Sequence, residues 1–422
     1  MRKHLTNFIS QKFGLDIDYL IRNGFWVSSR YTLASIIGLA TTIMFTRMAT
    51  KEVYGAYQYI LSFVAFFSFF SLPGMNIAAL KAVVKGNDSA VFQTIKWSFL
   101  SSLLGIPCII AYGLYHQGFQ EIPTSLLFIV SLAFAPFYAL NTWYVFYEGH
   151  QNYFSASWRS LILVGLNFFV LWAALALDAS LAIMVAIYFC TGIILSAIFS
   201  VEIWLRSERK NSLVSVSPES KLNIRYGLAV TGQKLVFNAS ETLPLMAIGW
   251  VYGFVEVAVF QVAFFIYSSI SGYIGALFAM YLPRLFSGTR LEKRKMITYN
   301  LLSGFLIAGS IGIFLVIIFP LFFGDEYSES LRIAWYLLPV VTLLPLKSYL
   351  SSYFTANHRL TLTIATYFTG NCLAGTVFYL TYAEGAGIAG SLYVATLVIA
   401  TTVIMTFSYF SENVLEKESN LS

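Results

Sequence analysis

Four charged residues lie deep inside long apolar stretches of this sequence, namely Arg30, Lys234, Glu241 and Lys347. A charge at the centre of a membrane span costs about 2.5–3.5 kcal/mol on insertion scales, so an intramembrane charge predicts a function. Three cations against one carboxylate make a positive set, which suits an anion such as a diphosphate. The Arg30 guanidinium can bind a phosphate through two parallel hydrogen bonds, whereas the lysines act as point charges.

The seventh apolar stretch carries most of the polar groups near these charges. Glu241 follows Lys234 by two helical turns and shares its helix face, with Gln233 and Asn238 alongside. The carboxyl of Glu241 is a candidate carrier of a coupling ion. The structural alternative is an internal ion pair of Glu241 with Lys234 or Arg30 that ties helices together. The predicted substrate-binding residues are Arg30, Gln233, Lys234, Asn238 and Lys347.

The composition decides which elements must position these residues. Of 422 residues, 58% are hydrophobic and only 11% are charged, whereas soluble domains carry about 25% charged residues. These values exclude a soluble enzyme, a disordered chain and a secreted disulfide scaffold. The sequence therefore predicts a polytopic membrane protein.

A bilayer core about 30 Å thick needs about 20 apolar residues per helix. The sequence contains twelve such stretches. They are residues 24–46, 53–80, 91–115, 122–147, 155–176, 181–205, 223–249, 254–282, 297–323, 331–356, 361–382 and 386–410.

Basic residues predict the orientation of these spans. Eighteen Lys and Arg fall in the N-terminal arm, the even-numbered loops with their helix ends, and the C-terminal tail. The opposite face has only Arg47, Lys51 and Arg332. Because basic loops stay in the cytoplasm, we expect both termini to be cytoplasmic. The loops are too short to hold a soluble catalytic domain.

Two short repeats indicate a duplication. Residues 146–150 (FYEGH) match 354–358 (FTANH) at an offset of 208, and residues 56–58 match 259–261 at an offset of 203. Six spans are thus repeated in the same orientation, an arrangement in which transporters bind substrate between the halves. The predicted fold is all-α, with twelve transmembrane helices in two parallel six-helix halves around a central cavity. The predicted segments are an amphipathic arm (1–23), the first half (24–205), a linker (206–222), the second half (223–410) and a tail (411–422).

Four motifs resemble those of a known transporter family. Residues 46–57 (TRMATKEVYGAY) resemble the loop between spans one and two of polysaccharide flippases, and residues 323–327 (FGDEY) resemble their Phe-Gly-Glu-Glu-Tyr pattern. The turn at 356–359 (ANHR) and the start of span twelve at 385–390 (GAGIAG) also fit. Asp325 replaces the usual Glu, and Pro73-Gly74 replaces a common Leu-Gly. The chain thus resembles O-antigen or polysaccharide flippases of the multidrug/oligosaccharidyl-lipid/polysaccharide exporter superfamily.

This resemblance implies transport rather than enzymatic chemistry. Such a protein would move an undecaprenyl-diphosphate-linked oligosaccharide from the cytoplasmic to the periplasmic leaflet of the bacterial inner membrane. H⁺ or Na⁺ are the candidate coupling ions, and membrane lipids, a polymerase and other envelope-assembly proteins are candidate partners. No cofactor, metal or nucleic acid is expected, and the sequence holds no Walker loop, GxSxG or HExxH motif.

Three alternatives remain open. An ion-coupled multidrug exporter of the same superfamily would be expected to carry acidic cavity residues, because most of its substrates are cations. A membrane glycan polymerase or ligase would be expected to have a long external loop with catalytic Arg or His residues. A scaffold for envelope assembly would leave the deep charges without a role.

Overall fold

The computed structural model of the protein describes residues 17–116, 124–211, 221–285, 293–357 and 359–419. Within these ranges the chain is helical and contains no strand. Most of the predicted N-terminal arm lies outside the described residues, and the first helix already begins at Ile17. Parts of the predicted linker and tail also lie outside them.

The first half forms six spans, of which the second and the fourth are each built from two helices. The second span combines α2 and α3, which are joined by a 3₁₀ turn, and the fourth combines α5 and α6. The helices are α1 (Ile17–Met48), α2 (Lys51–Phe67), α3 (Met75–Val84), α4 (Ser89–His116), α5 (Thr124–Leu140), α6 (Tyr144–Gly149), α7 (Tyr153–Ala176) and α8 (Leu181–Asn211).

The second half repeats this order with one difference. Its tenth span is again two helices, α12 and α13, which meet at an angle of 50°, whereas its eighth span is one continuous helix. The helices are α9 (Ile224–Tyr252), α10 (Phe254–Leu285), α11 (Lys293–Phe323), α12 (Ser328–Val341), α13 (Leu344–Ala356), α14 (Leu360–Thr381) and α15 (Ala386–Ser419). The predicted twelve-span all-α fold is confirmed.

Spans differ in how apolar they are. Among the described residues, eight helical spans are long and apolar enough to cross a membrane, and the bent pair α12–α13 makes a ninth. The helices α1, α9 and α14 are long enough but more polar. The helices α1 and α9 carry the deep charges Arg30 and Lys234, which lower their hydropathy.

The helices within the second and tenth spans are interrupted at prolines and at a residue with a strained backbone. In the second span, Leu72 adopts a left-handed conformation (φ 54°) just before Pro73 and Gly74. In the tenth span, α12 ends two residues after Pro339, and Pro345 occupies the first turn of α13. A proline cannot donate the backbone hydrogen bond that continues a helix. By contrast, α9 continues unbroken through Pro244.

The core shows how the halves meet. We call the membrane side near residues 205–211 and 221–224 the linker face and the opposite side, near residues 48–51 and 323–328, the distal face. The largest hydrophobic cluster lies toward the distal face and joins both halves, for example Phe63 with Phe260. Toward the linker face the core divides into one cluster around Trp143 in the first half and one around Phe354 in the second. The halves therefore share one core toward the distal face and have separate cores toward the linker face.

Direct contacts between the halves close the distal face. Arg47 donates to the carbonyl oxygen of Phe322 through Nε at 3.1 Å and Nη2 at 2.8 Å. Lys51 Nζ donates to the Glu326 carbonyl oxygen at 2.8 Å. A Cβ on Gly55 would collide with the Phe254 carbonyl oxygen, so this position requires glycine. The two sequence motifs at 46–57 and 323–327 thus lie against each other.

Candidate functional site

Arg30 forms an ion pair at the linker-face end of the cavity. The Arg30 side chain donates from Nη1 to Oε1 of Glu148 at 3.1 Å, and the two side chains are 16% and 20% exposed. Arg30 lies on α1 and Glu148 on the short helix α6, so the pair joins the first and fourth spans. The Arg30 guanidinium also lies 5.2 Å from the centre of the Tyr31 ring. This partial exposure keeps the pair accessible to water from the cavity.

Lys234 approaches the same carboxylate from the second half. The Glu148 carboxylate is its principal electrostatic neighbour, and within the described part of the chain Lys234 makes no hydrogen bond or ion pair. Asn238 lies four residues after Lys234 on the same face of α9, and its Nδ2 donates to the Ser68 hydroxyl of the first half at 3.1 Å. Arg30 of the first half and Lys234 of the second half thus have the Glu148 carboxylate as a common electrostatic neighbour.

Gln233 is placed apart from this face. Its Nε2 donates to the Thr355 hydroxyl of α13 at 3.0 Å, a contact within the second half. One residue along a helix turns the side chain by about 100°, so Gln233 and Lys234 point in different directions. Lys234 and Asn238 thus point toward the first half, whereas Gln233 points toward α13.

A second charge cluster lies deeper, within the second half. Lys347 on α13 is only 6% exposed, with its ammonium 5.3 Å from the centre of the Tyr367 ring. Its carboxylate neighbour is Glu241 on α9. The Glu241 side chain is solvent-exposed, yet it lies within electrostatic reach of the buried Tyr267 and Tyr367. Its exposed surface therefore faces the interior cavity and not lipid.

These contacts correct the ion pairs expected from the sequence. The structural alternative paired Glu241 with Lys234 or Arg30, but the cationic neighbour of Glu241 is Lys347, and Arg30 pairs with Glu148. The reason is the fold, which brings side chains of the first and fourth spans of each half within reach of one another although they lie far apart in sequence. The cavity set thus contains three cations and two carboxylates, and its net charge is +1, one unit less positive than the sequence predicts.

Sequence reasoning missed Glu148 as a cavity residue. Glu148 follows the fourth apolar stretch, inside the repeated motif at 146–150, and this position predicts a loop residue. A second missed group is Tyr144, whose hydroxyl accepts from Asn76 Nδ2 at 3.3 Å and lies within electrostatic reach of Arg30 and Glu148. The available signal was a carboxylate one residue beyond the fourth apolar stretch and inside the repeated motif.

A cavity of about 760 Å³ lies elsewhere, on the opposite face of α9 from Glu241. It is almost entirely apolar and borders both halves, with Phe66 and Tyr112 on one side and the distal parts of α9 and α14 on the other. Asn371 is its main polar group and donates to the Ser240 hydroxyl at 3.0 Å. Apolar lining with few polar groups is typical of sites for apolar ligands. The remaining lining residues are Leu243, Met246, Ala247, Trp250, Val251, Gly375, Phe378, Tyr379, Tyr382 and Tyr393.

The described residues contain no group of His, Cys, Asp or Glu side chains arranged to hold a metal ion. The polar groups of the cavity are instead cations, carboxylates, amides and tyrosine hydroxyls. Such a set can bind an anion through the cations and can hydrogen-bond polar hydroxyls through the amides and phenols.

Comparisons with known proteins show which family and which solved structures this chain resembles. A family model described as "Polysaccharide biosynthesis protein" matches residues 20–289, whereas no curated protein matches the sequence. The fold is similar to the lipid II flippase MurJ in an inward closed conformation, with a TM-score of 0.64, 12% identity, and coverage of 91% of this chain and 87% of that chain. It is also similar to an inward-facing multidrug resistance MATE family transporter of the MOP superfamily, with a TM-score of 0.64, 15% identity, and coverage of 92% and 96%.

A third similar structure is a MATE transporter of Vibrio cholerae, with a TM-score of 0.63, 11% identity, and coverage of 96% of this chain and 98% of that chain. At such low identities these likenesses establish the fold alone. The family model spans most of the first half, the linker and the first two helices of the second half, so it includes Arg30, Glu148, Lys234 and Glu241.

Proposed function

Because this chain belongs to the polysaccharide biosynthesis protein family, we propose that it is a flippase for a lipid-linked oligosaccharide. The substrate would be an undecaprenyl-diphosphate-linked repeat unit of O-antigen or a similar polysaccharide. It would pass from the cytoplasmic to the periplasmic leaflet of the bacterial inner membrane by alternating access. In this proposal the linker face is cytoplasmic, and the two halves divide at residues 206–222.

The observation that carries the proposal is the placement of Arg30 and Lys234. One cation comes from each half, and both approach the same carboxylate at the wall of the cavity. A diphosphate bound there would contact both halves at once, and charge-assisted hydrogen bonds to phosphate are among the strong ones. Lys347, which is buried beside Glu241, would add positive potential deeper in the cavity without direct contact in this conformation.

Polar side chains near the cations suit a sugar. Asn238 and Gln233 offer amide groups, and Tyr144 and Tyr31 offer a phenol and aromatic faces beside Arg30. Amides and phenols can both donate to and accept from sugar hydroxyls. The lipid chain must stay in hydrocarbon while the headgroup crosses, and the apolar cavity beside α9 offers one surface for it.

The test uses purified protein in liposomes that hold a fluorescent undecaprenyl-diphosphate oligosaccharide, with transfer between leaflets as the readout. We expect Arg30→Ala and Lys234→Ala each to reduce transfer by at least about tenfold, since each removes a charged partner of the diphosphate. The matched control is Arg159→Ala, which removes an Arg of similar exposure (15%) from an ion pair with Glu202 outside the cavity. Unchanged transfer in both cavity variants would overturn the proposal.

A second candidate is an ion-coupled multidrug exporter, and the exposed carboxylate of Glu241 in the cavity is the observation that favours it. In either function Glu241 is the candidate for carrying H⁺ or Na⁺. Transport of organic cations by the wild type, lost in Glu241→Gln, together with no movement of lipid-linked sugar would favour the exporter. Transport of lipid-linked sugar that is insensitive to Na⁺ and pH gradients would remove the coupling role of Glu241.

A further inference from the structure

Glu148 occupies the position that an anionic ligand would take between the halves. Its carboxylate accepts a hydrogen bond from Arg30 at 3.1 Å and attracts Lys234 from the second half. Both side chains of the Arg30–Glu148 pair keep some exposed surface, so the pair is not sealed in the core. An anion that enters the cavity must therefore compete with Glu148 for these two cations.

The backbone around Glu148 is fixed on both sides. Before it, the Thr142 hydroxyl donates to Asn76 Oδ1 at 3.1 Å. After it, His150 Nε2 lies 2.8 Å from Asp88 Oδ1. With α6 held at both ends, the Glu148 side chain can leave Arg30 by rotamer changes alone, and exposed or partly exposed side chains change rotamer rapidly.

We propose that Glu148 is a built-in counter-anion that is exchanged for the diphosphate of the substrate. This inference rests on the proposed function and specifies how its anion site is regulated. In the empty cavity Glu148 neutralises Arg30 and attracts Lys234, so small cellular anions bind weakly. When the substrate arrives, its diphosphate takes over Arg30 and Lys234, and Glu148 turns toward the aqueous cavity.

The exchange also explains how a tightly held anion can be released. As the diphosphate leaves, the Glu148 carboxylate returns to Arg30, so no unpaired cation is left at the cavity wall. Removal of one partner from a partly buried ion pair is expensive because the other charge stays unpaired. Glu148 thus lowers affinity for the anion and lowers the barrier to its release, which a transporter needs more than tight binding.

The test measures the binding of inorganic pyrophosphate to the full-length protein in lipid nanodiscs by isothermal titration calorimetry. We expect Glu148→Gln to bind pyrophosphate about tenfold more tightly than the wild type, because the competing charge-assisted hydrogen bond is gone. The matched control is Glu202→Gln, which neutralises a carboxylate that pairs with Arg159 at 2.7 Å away from the junction of the halves. The control should bind pyrophosphate as the wild type does.

Equal or weaker pyrophosphate binding in Glu148→Gln would overturn the inference and make Glu148 a structural partner of Arg30. If Glu148→Gln does not fold, Glu148→Asp replaces it: the shorter carboxylate reaches Arg30 less well and should bind pyrophosphate between about twofold and fivefold more tightly than the wild type. Equal or weaker binding by Glu148→Asp would overturn the inference in the same way.

The outcome is separable from that of the proposed function. Tighter pyrophosphate binding in the variant together with no transfer of lipid-linked oligosaccharide by the wild type would leave Glu148 as a counter-anion and reject the flippase. In a working flippase, the tighter-binding Glu148→Gln should transfer substrate more slowly than the wild type, because release becomes limiting.

Discussion

The two halves of this protein each place one cation and one carboxylate between their first and fourth spans, but in opposite order. In the first half the cation is on the first span (Arg30) and the carboxylate on the fourth (Glu148). In the second half the carboxylate is on the first span (Glu241) and the cation on the fourth (Lys347). Each half thus links its first and fourth spans through a cation and a carboxylate, but the order of the charges is reversed and the second pair lies deeper.

The two pairs also differ in their solvent exposure and in whether they interact with the other half. The pair of the first half is partly exposed and extends to Lys234 across the cavity, whereas Lys347 is buried among the residues of its own half. Charges near water can exchange partners, and buried charges are held by their surroundings. Under the proposed function, substrate exchange would therefore take place at the first cluster, and the second would supply electrostatic support.

The largest effect is expected from reversal of the charge at the first cluster. Arg30→Glu places a second carboxylate beside Glu148, and two unit charges at 4 Å interact with about 4 kcal/mol at an effective dielectric constant of 20. We therefore expect transfer of lipid-linked oligosaccharide to fall on the order of 100-fold or more. The measurement is the liposome transfer assay, with size-exclusion chromatography to verify folding.

The double variant Arg30→Glu/Glu148→Arg restores the pair with its sign reversed, as in the second half. Recovery of transfer to within about tenfold of the wild type would mean that the pair matters more than the order of its members. Recovery of folding without transfer would mean that the cation must be on α1.

At the second cluster a smaller effect is expected. Lys347→Met keeps most of the buried volume but leaves Glu241 without its cation, so we expect transfer to fall about tenfold, less than in Arg30→Glu. The double variant Lys347→Met/Glu241→Gln removes both charges and should recover about 0.5–3 kcal/mol of stability, the usual coupling of residues in contact. Thermal unfolding of the two variants measures this coupling. A double variant with no more stability than Lys347→Met would show that the two groups are independent.

The break in the second span, which the eighth span lacks, permits a close contact between the halves at the linker face. A Cβ on Gly74 would lie 2.2 Å from the Gly227 carbonyl oxygen and 2.3 Å from the Thr231 nitrogen. Gly74→Ala must push α9 away and should cost about 1–3 kcal/mol of unfolding free energy, as overpacking does. The control is Gly165→Ala, where a Cβ meets nothing within 4 Å. Equal thermal midpoints for the two variants would contradict the close packing of the halves here.

The smallest effect is expected at the distal face, where Arg47 bonds to the second half. Arg47→Ala removes two exposed hydrogen bonds to the Phe322 carbonyl, each worth about 0.5–1.5 kcal/mol at most. The distal face should open more often, which the labelling rate of the buried Ser330→Cys in a cysteine-free background can measure. We expect an increase of about threefold. Arg332→Ala, which removes a contact within its own helix, should leave the labelling rate unchanged.

Much of the fold could be predicted from local patterns. The spans follow from apolar length, and the breaks near Pro73 and Pro339 follow from the chemistry of proline. Most predicted bounds agree with the helices to within a few residues, although α1 begins at Ile17 instead of residue 24. These features depend on neighbours along the chain, which is why periodicity and composition suffice for them.

The candidate site was predictable only in part. Arg30, Lys234 and Lys347 were found because a charge in an apolar stretch is conspicuous in sequence. Their partners were not found, since Glu148 stands 118 residues from Arg30 and looks like a loop residue at the end of its span. Gln233 was grouped with Lys234 by sequence proximity, but the helical turn directs it to Thr355.

The sequence by itself determined that this protein spans a membrane with twelve helices and that the chain is duplicated. It also determined which of the helices carry charge. Tertiary structure alone decided which carboxylate neutralises which cation and which charge remains exposed to the cavity. The physical reason is the distance over which each effect acts: hydropathy and proline act on neighbouring residues, whereas an ion pair needs charged atoms of two different helices within about 4 Å of each other. That packing is set by the whole bundle, and no stretch of sequence contains it.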